Sequence, residues 1–353
     1  MSRYIVIVAV STVMLLLGPG CEQEQGGAAP PPLSAVTVEP PQAETKQAVE
    51  PNVQETPAAE PNAQQTVVEP TPAQPAESNA AQLQTAQASA TQPAKRKAGE
   101  LCSDCTKFLS EHVDQYGMVD YRALLRRKLE LAAILDRFRT LDPNEYNLWS
   151  RDDKLSFWIN AYNLEFIRII LDNYPIESTR VLRLFWPPNS IRHIKGIWDQ
   201  HKFIIMNEEF TLKEIDERLF QKEFDEPRVF FAISYGSVSG PVLRNEAYCG
   251  QILSAQLDDQ VKKFLAGAHA FKISREDQTV HLSPILQPNW YGQQFVAKYG
   301  TDRKFKQQEP ATRAVLNFLT SYLSPRDVDF LETGNYTVQY IRYDWTLNDC
   351  AGQ

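Results

Sequence analysis

Two carboxamide side chains lie close together in an otherwise apolar segment of the chain. Asn160 and Asn163 are three residues apart within residues 157–163, so they share one face of a predicted helix. Asparagine has a low helix propensity and is costly to bury unless its amide is fully hydrogen-bonded. The two amides therefore either hold nearby loops through a buried polar network or line a site. Such networks commonly specify a fold, so the structural interpretation is favoured.

A Gly/Ser-rich turn at residues 235–241 supplies the other candidates for catalysis. Turns that follow strands often carry functional residues, and Ser239 is a conceivable nucleophile for a cell-envelope hydrolase. No G-x-S-x-G elbow surrounds Ser239, and no histidine has a recognisable spacing from it, so a structural turn is favoured. The sequence predicts no metal site and no cofactor. The candidate residues of a hydrolase cleft are Asn160, Asn163, Glu217, Tyr235 and Ser239.

The N-terminus resembles an export signal of the bacterial lipoprotein type. Arg3 precedes an apolar stretch at residues 4–17 that is too short to span a bilayer comfortably, and small residues then lead to Cys21. We expect a signal peptide over residues 1–20 and lipidation of Cys21. Residues 21–100 are rich in Ala, Pro, Gln and Glu, which predicts a disordered linker. The formal net charge of −8 gives no indication of nucleic-acid binding.

Four further cysteines lie beyond the linker. An even number in an exported chain indicates structural disulfides, although the sequence does not determine their pairing. Cys102 and Cys105 form a C-x-x-C pair, so thiol redox chemistry is a second alternative to binding. In thioredoxin-like enzymes such a pair opens a helix after a strand, and no strand is predicted here. The disulfide candidates are Cys102, Cys105, Cys249 and Cys350.

Hydrophobic periodicity predicts a helix-rich α+β domain over residues 101–350. Asp142 is expected to cap a short helix that has Pro143 in its first turn, and Thr211 to cap a helix at 212–221. An apolar run at 228–234 is interpreted as a buried strand, and no βαβ alternation is evident. Other helices are predicted at 106–116, 121–138, 152–173, 258–265, 290–299 and 310–322. Hairpins are predicted at 201–210, with its turn at 207–209, and at 271–282, followed by a strand at 335–340.

Nine segments in this order resemble the DUF547 family, a domain of unknown function found in bacterial envelope proteins and in plants. The most specific segment is the Trp-Ile-Asn-x-Tyr-Asn sequence at 158–163. The others are 117–121, 190–199, 211–216, 226–232, 246–248, 282–284, 290–295 and 343–348.

The resemblance also implies a His/Cys set that this chain lacks. It implies histidines where Glu217 and Phe230 stand, and cysteines where Tyr235 and Gly240 stand. Such a set would suit a thiol hydrolase or a metal site. Because all four positions differ, we expect a binding or scaffolding protein rather than an enzyme. We expect it to be held at the bacterial envelope by a lipid on Cys21, preferably at the outer membrane or on the periplasmic side. Its partner would then be an envelope protein or polymer.

Overall fold

The computed structural model describes residues 97–352. The predicted signal peptide, the lipidation site Cys21 and residues 21–96 of the predicted linker lie outside this range. Helix α1 covers residues 97–112, so it includes four residues that the sequence analysis assigned to the linker. Lys97 forms an ion pair with Glu145, which ties the first described turn to the domain. No helix within the described part of the chain is long and apolar enough to cross a bilayer.

The domain is helix-rich with two small sheets, which confirms the predicted α+β class. After α1 the α-helices are α2 (Tyr121–Arg126), α3 (Lys128–Arg139), α4 (Pro143–Asn147), α5 (Arg151–Asp172), α6 (Leu212–Glu214), α7 (Leu253–Ala266), α8 (Val296–Tyr299), α9 (Pro310–Leu319) and α10 (Pro325–Thr333). The strands are β1 (Phe203–Ile205), β2 (Glu208–Phe210), β3 (Phe271–Ser274), β4 (Thr279–Leu282) and β5 (Thr337–Tyr340). Short 3-10 helices include Leu182–Leu184, Ile191–His193, Pro227–Phe231 and Gly250–Ile252.

Helix α5 lies at the centre of the domain. Ser150 caps its N-terminus by accepting a hydrogen bond from the Asp153 amide. Asp152 and Asp153 place negative charge at the positive end of the helix dipole, which stabilises the helix. Sixteen of its 22 residues are buried. Polar side chains on such a buried helix need hydrogen-bond partners, and neighbouring segments must supply them.

Both predicted hairpins are present, but the turn of the first is shorter than predicted and the second pairs with a further strand. Met206 and Asn207 both have positive φ, as a two-residue I′-type turn requires, so Glu208 and Glu209 belong to strand β2 rather than to the turn. In the second sheet β3 and β4 pair antiparallel, and β5 pairs parallel to β4. The connection from β4 to β5 passes through helices α8 to α10, a crossover that the sequence analysis did not identify.

The predicted strand at 228–234 is wrong. This segment contains the end of the 3-10 helix Pro227–Phe231 and then a loop. Pro227 occupies the first helical turn, and the Glu226 carboxylate accepts a hydrogen bond from the Arg228 amide. A short apolar run cannot distinguish a buried strand from a buried helical turn, because both are enclosed by other residues.

Helix α6 also departs from the prediction after its first turn. Thr211 and Glu214 form the expected capping box. The helix then continues as a π-helix, Ile215–Glu223. The wider turn ends with the Phe224 amide donating to the Leu219 carbonyl five residues earlier. Wide turns of this type are frequent near functional sites, and this one carries Asp216 into the interior.

Candidate functional site

The two amides of α5 hold two loops by their backbones. Asn160 Nδ2 donates to the Tyr248 carbonyl at 2.8 Å, and its Oδ1 accepts from the Tyr248 amide at 2.9 Å. Asn163 Nδ2 donates to the Ala232 carbonyl at 3.0 Å, and its Oδ1 accepts from the Ser234 amide at 2.7 Å. Both side chains are buried. Each amide thus replaces the backbone partner that a loop residue would find in a sheet.

The remaining hydrolase candidates occupy different environments. The Tyr235 hydroxyl donates to the Phe230 carbonyl at 3.3 Å, and Ser239 Oγ accepts from the Asp344 amide at 2.8 Å. Both side chains are buried. Glu217 is partly exposed on the π-helix, with Oε1 3.8 Å from Lys213 Nζ. Tyr235 and Ser239 therefore tie backbone segments together, while Glu217 lies at the surface.

Three of the positions at which the family resemblance implies His or Cys come together in space. Phe230 and Tyr235 both pack on the ring of Tyr291, with centroid distances of 4.1 and 6.2 Å. A Cβ on Gly240 would lie 3.2 Å from Tyr235 Cβ. Aromatic side chains fill this place in the chain, and Phe230 has no group that transfers a proton or binds a metal.

A buried carboxyl adjoins this aromatic packing. Asp216 is 2% exposed, and its Oδ2 accepts a hydrogen bond from the Tyr291 hydroxyl at 2.9 Å. Burial raises the pKa of Asp216 to about 7, and hydrogen bonds from Tyr291 and Gln221 offset this only in part. Burial also raises the pKa of Tyr291 and Tyr235 well above the usual tyrosine value, so both remain protonated donors.

Beyond Tyr291 the aromatic packing continues to a group that we call the Trp–Arg cluster. Its members are Trp186, Arg192, Trp290, Tyr343 and Trp345. The rings of Trp290 and Trp345 stack at 6.0 Å with an 11° interplanar angle. The Arg192 guanidinium carbon lies 4.6 Å from the Trp186 ring centroid and 5.1 Å from that of Trp345. The cluster extends from the buried Trp345 to the half-buried Trp186, Trp290 and Arg192.

Two donors of the cluster are left without hydrogen bonds. Arg192 Nε and Trp290 Nε1 are both inaccessible to solvent, and neither has a hydrogen-bond partner among residues 97–352. Within residues 97–352 the Arg192 side chain makes no ion pair with a carboxylate, and burial lowers its pKa without any offset from an acidic neighbour. A cation that packs on two indole rings and lacks a counter-ion is suited to an anionic group brought by another molecule.

The segment that leads to Trp186 is unusually exposed for its composition. Val181, Leu184 and Phe185 are 66%, 80% and 67% exposed. Beside it lies an open depression of about 440 Å³, which is lined by residues that include Ile176, Arg183 and Pro188. Exposed apolar side chains that lie next to one another typically mark an interaction surface.

The cysteines pair differently from a redox C-x-x-C motif. Cys102 forms a disulfide with Cys249, while Cys105 and Cys350 are free. Cys105 is fully buried, and burial raises the pKa of its thiol to about 12. A thiol that is inaccessible and protonated is a poor nucleophile, so this geometry gives no support to thiol redox chemistry through Cys102 and Cys105.

Asp216, Tyr291 and Arg192 are not among the candidate residues predicted from the sequence. The segments at 290–295 and 343–348 were noted only because they carry the family resemblance. In the second of these segments, Asp344 accepts hydrogen bonds from the Thr346 amide and hydroxyl. A usable signal was present, because these segments and Ser190–Ile194 all belong to the stretches that carry the family resemblance.

Comparison with known proteins gives one result that bears on identity. No curated protein and no solved structure matches the chain. Residues 146–265 match a sequence model described as "Protein of unknown function, DUF547". The matched range includes α5 with both amides, the π-helix, and Trp186 and Arg192 of the Trp–Arg cluster. Residues 146–265 therefore correspond to a DUF547 domain, a domain whose function is unknown.

Proposed function

We propose that this chain is a lipid-anchored protein of the bacterial envelope whose DUF547 domain binds an envelope polymer without turning it over. The N-terminal sequence supports the anchor and the linker, as set out above. The Trp–Arg cluster supports binding. The observation that carries the proposal is the Arg192 guanidinium, which packs on two tryptophans and has no carboxylate partner among the described residues.

The composition of the cluster fits a binding surface. Tryptophan, tyrosine and arginine are the residues that most often dominate binding energy, because they combine a large apolar area with directional donors. An unpartnered arginine favours a ligand with a carboxylate or phosphate, and flat indole rings favour a ligand with a flat apolar face. An acidic glycan combines both properties, since its sugar rings present C–H faces. We therefore propose an acidic envelope glycan as the ligand.

The packing around Tyr291 favours binding over catalysis. Phe230 and Tyr235 occupy the places where the family resemblance implies His and Cys, and both are buried in the aromatic packing. Asn160 and Asn163 use both ends of their amides on backbone groups. These side chains have little capacity left to act on a substrate.

A cell-envelope hydrolase is the second candidate, and Asp216 is the observation that favours it. A carboxyl with a pKa of about 7 is suited to general acid catalysis near neutral pH. Its Oδ2 atom accepts a hydrogen bond from the Tyr291 hydroxyl, so a proton relay in such an enzyme would include Tyr291. Asp216→Asn would abolish turnover of a glycan by such an enzyme, whereas the binding proposal expects no turnover by either protein.

The binding proposal is tested by cosedimentation of the purified protein with insoluble peptidoglycan. Arg192→Ala should reduce the bound fraction at least about tenfold, the loss expected for one charge-assisted contact. Arg139→Ala removes an exposed arginine of helix α3 and should bind like the wild type. Equal binding by the Arg192→Ala variant and the wild type would refute the proposed site.

Two controls separate the ligand class from the location. An acidic oligosaccharide should displace the protein from peptidoglycan at lower concentration than a neutral one, and added salt should weaken binding.

The anchor is tested separately, because Cys21→Ser should move the protein from the membrane fraction to the soluble fraction. Membrane retention of that variant would contradict lipidation at Cys21.

A further inference from the structure

A second polar group lies on elements outside the Trp–Arg cluster. Glu111 and His112 are at the end of helix α1, and Glu130 is in the first turn of helix α3. One side-chain ligand atom from each residue lies within 4.8 Å of those of the other two. Two carboxylate oxygens and one imidazole nitrogen at such separations have the chemistry and spacing of a divalent-metal site.

The buried histidine is what distinguishes this group from an ordinary acidic surface. The side chain of His112 is 2% exposed, and its Nε2 atom has no hydrogen-bond partner in the part of the chain that the structure describes. That atom lies 3.7 Å from Glu130 Oε2, which is too far for a hydrogen bond. The ring is held by packing on Phe108, with centroids 4.9 Å apart, so Nε2 is fixed in its direction toward the carboxylate.

An unpartnered buried nitrogen is expensive to maintain. Leaving such a group without a partner costs about 1–3 kcal/mol, so native proteins usually supply a ligand, an ion or a water. The neighbouring cation does not supply one. Arg127 Nη2 contacts Glu111 Oε2 at 2.9 Å, and Arg127 Nε contacts Glu130 Oε1 at 2.6 Å, while His112 is left out.

Arg127 neutralises part of the charge at this site. Its side chain is 44% exposed, so the guanidinium can move into solvent without unfolding any element. Two carboxylates and one arginine leave one uncompensated negative charge. A divalent cation that displaced Arg127 would neutralise both carboxylates and also use the free imidazole nitrogen.

We propose that Glu111, His112 and Glu130 bind a divalent transition metal of the zinc type, with Arg127 as a built-in competitor for the two carboxylates. The metal would take one oxygen from each glutamate and Nε2 of His112, and water would complete its coordination. It would join the end of α1 to the start of α3. This inference does not depend on the proposed glycan binding.

The competitor makes the proposal testable in two directions. The full chain is freed of metal with a chelator and titrated with Zn²⁺ by calorimetry and with Co²⁺ by absorption spectroscopy. Wild type should bind one equivalent of metal. His112→Ala should weaken affinity at least about tenfold, whereas Arg127→Ala should strengthen it several-fold because the competing cation is gone.

Further variants keep the test independent of folding. Glu130→Gln changes a half-exposed side chain, so it should weaken metal binding with no loss of structure. Arg139→Ala is the control, because it removes an arginine that pairs with the exposed carboxylate of Asp136. Among the described residues Asp136 belongs to no group of metal-ligand residues, so metal affinity should stay unchanged. Unchanged affinity in both His112→Ala and Glu130→Gln, or weaker binding in Arg127→Ala, would overturn the proposal.

Discussion

Asn163 on helix α5 and Arg192 in the Trp–Arg cluster are both polar side chains enclosed largely by apolar neighbours, but their partners differ. Asn163 uses both ends of its amide on the backbone of residues 232–234. Arg192 packs on two indole rings and leaves Nε without a partner. The first arrangement is complete among the described residues, whereas the second leaves a donor that the proposed ligand would satisfy. This difference separates a residue that holds the fold from one that is available for the proposed binding.

The disulfide lies beside the loops that the amides of α5 hold. Asn160 holds the backbone of Tyr248, and the next residue, Cys249, is bonded to Cys102 on helix α1. Helix α1 is thereby joined to a loop that α5 already fixes. Variants in this region should change stability, and variants in the Trp–Arg cluster should change binding.

The largest effect on stability is expected for Asn163→Ala. The substitution strands the Ala232 carbonyl and the Ser234 amide, and each stranded group costs about 1–3 kcal/mol. The free energy of unfolding is measured with urea. Asn147→Ala, at an exposed site on helix α4, should stay within about 0.5 kcal/mol of wild type. Comparable stability of the two variants would show that the amide is not structural.

Cys249→Ser should have the next largest effect. The disulfide closes a loop with a sequence separation of 147 residues, and its loss should lower the free energy of unfolding by about 2–5 kcal/mol. A reducing agent should destabilise the wild type but have little further effect on this variant. Cys350→Ser changes a free, exposed cysteine and should leave stability unaltered.

The Asp216 carboxyl should give the protein a measurable pH dependence of stability. Its pKa in the folded protein is about 7, against 3.8 for an ordinary aspartate, so between these values the folded state holds a proton that the unfolded state has released. The stabilisation by this group is complete below about pH 4 and is lost as the pH rises to about 7.

Asp216→Asn isolates this contribution. As the pH rises from 4 to 7, the free energy of unfolding of the variant should increase relative to that of the wild type, by at most about 1.4 kcal/mol per pH unit. Urea unfolding at several pH values in this window measures the difference. Asp199→Asn, which makes the same substitution at an exposed position, is the control measured beside it. A pH-independent difference for Asp216→Asn would show that the carboxyl is ionised in the folded protein.

The elements with strong local signals could be predicted from the sequence. The long helix was predicted to within one residue of each end of α5, and Asp142 and Thr211 cap helices as expected. Both hairpins follow the alternation of apolar residues and turn residues. These features depend on neighbours within a few positions, so the sequence determines them directly.

The sites could not be predicted in the same way. The Trp–Arg cluster joins residue 186 to residue 345, and only the packed fold brings them together. Glu111, His112 and Glu130 have no regular metal-ligand spacing, which is why no metal site was expected from the sequence. The amides of α5 were recognised as a polar pair, but whether their partners were backbone or ligand depended on loops 69 to 88 residues away.

The most direct test of the account is to measure melting temperature and peptidoglycan binding together on Arg192→Ala and Asn163→Ala. Arg192→Ala should lose binding at least about tenfold, while its stability falls by only about 1 kcal/mol for the lost cation–π contacts. Asn163→Ala should melt at a clearly lower temperature yet bind like the wild type below its transition. If Arg192→Ala retains full binding, the unpartnered guanidinium is not the binding site and the account is contradicted.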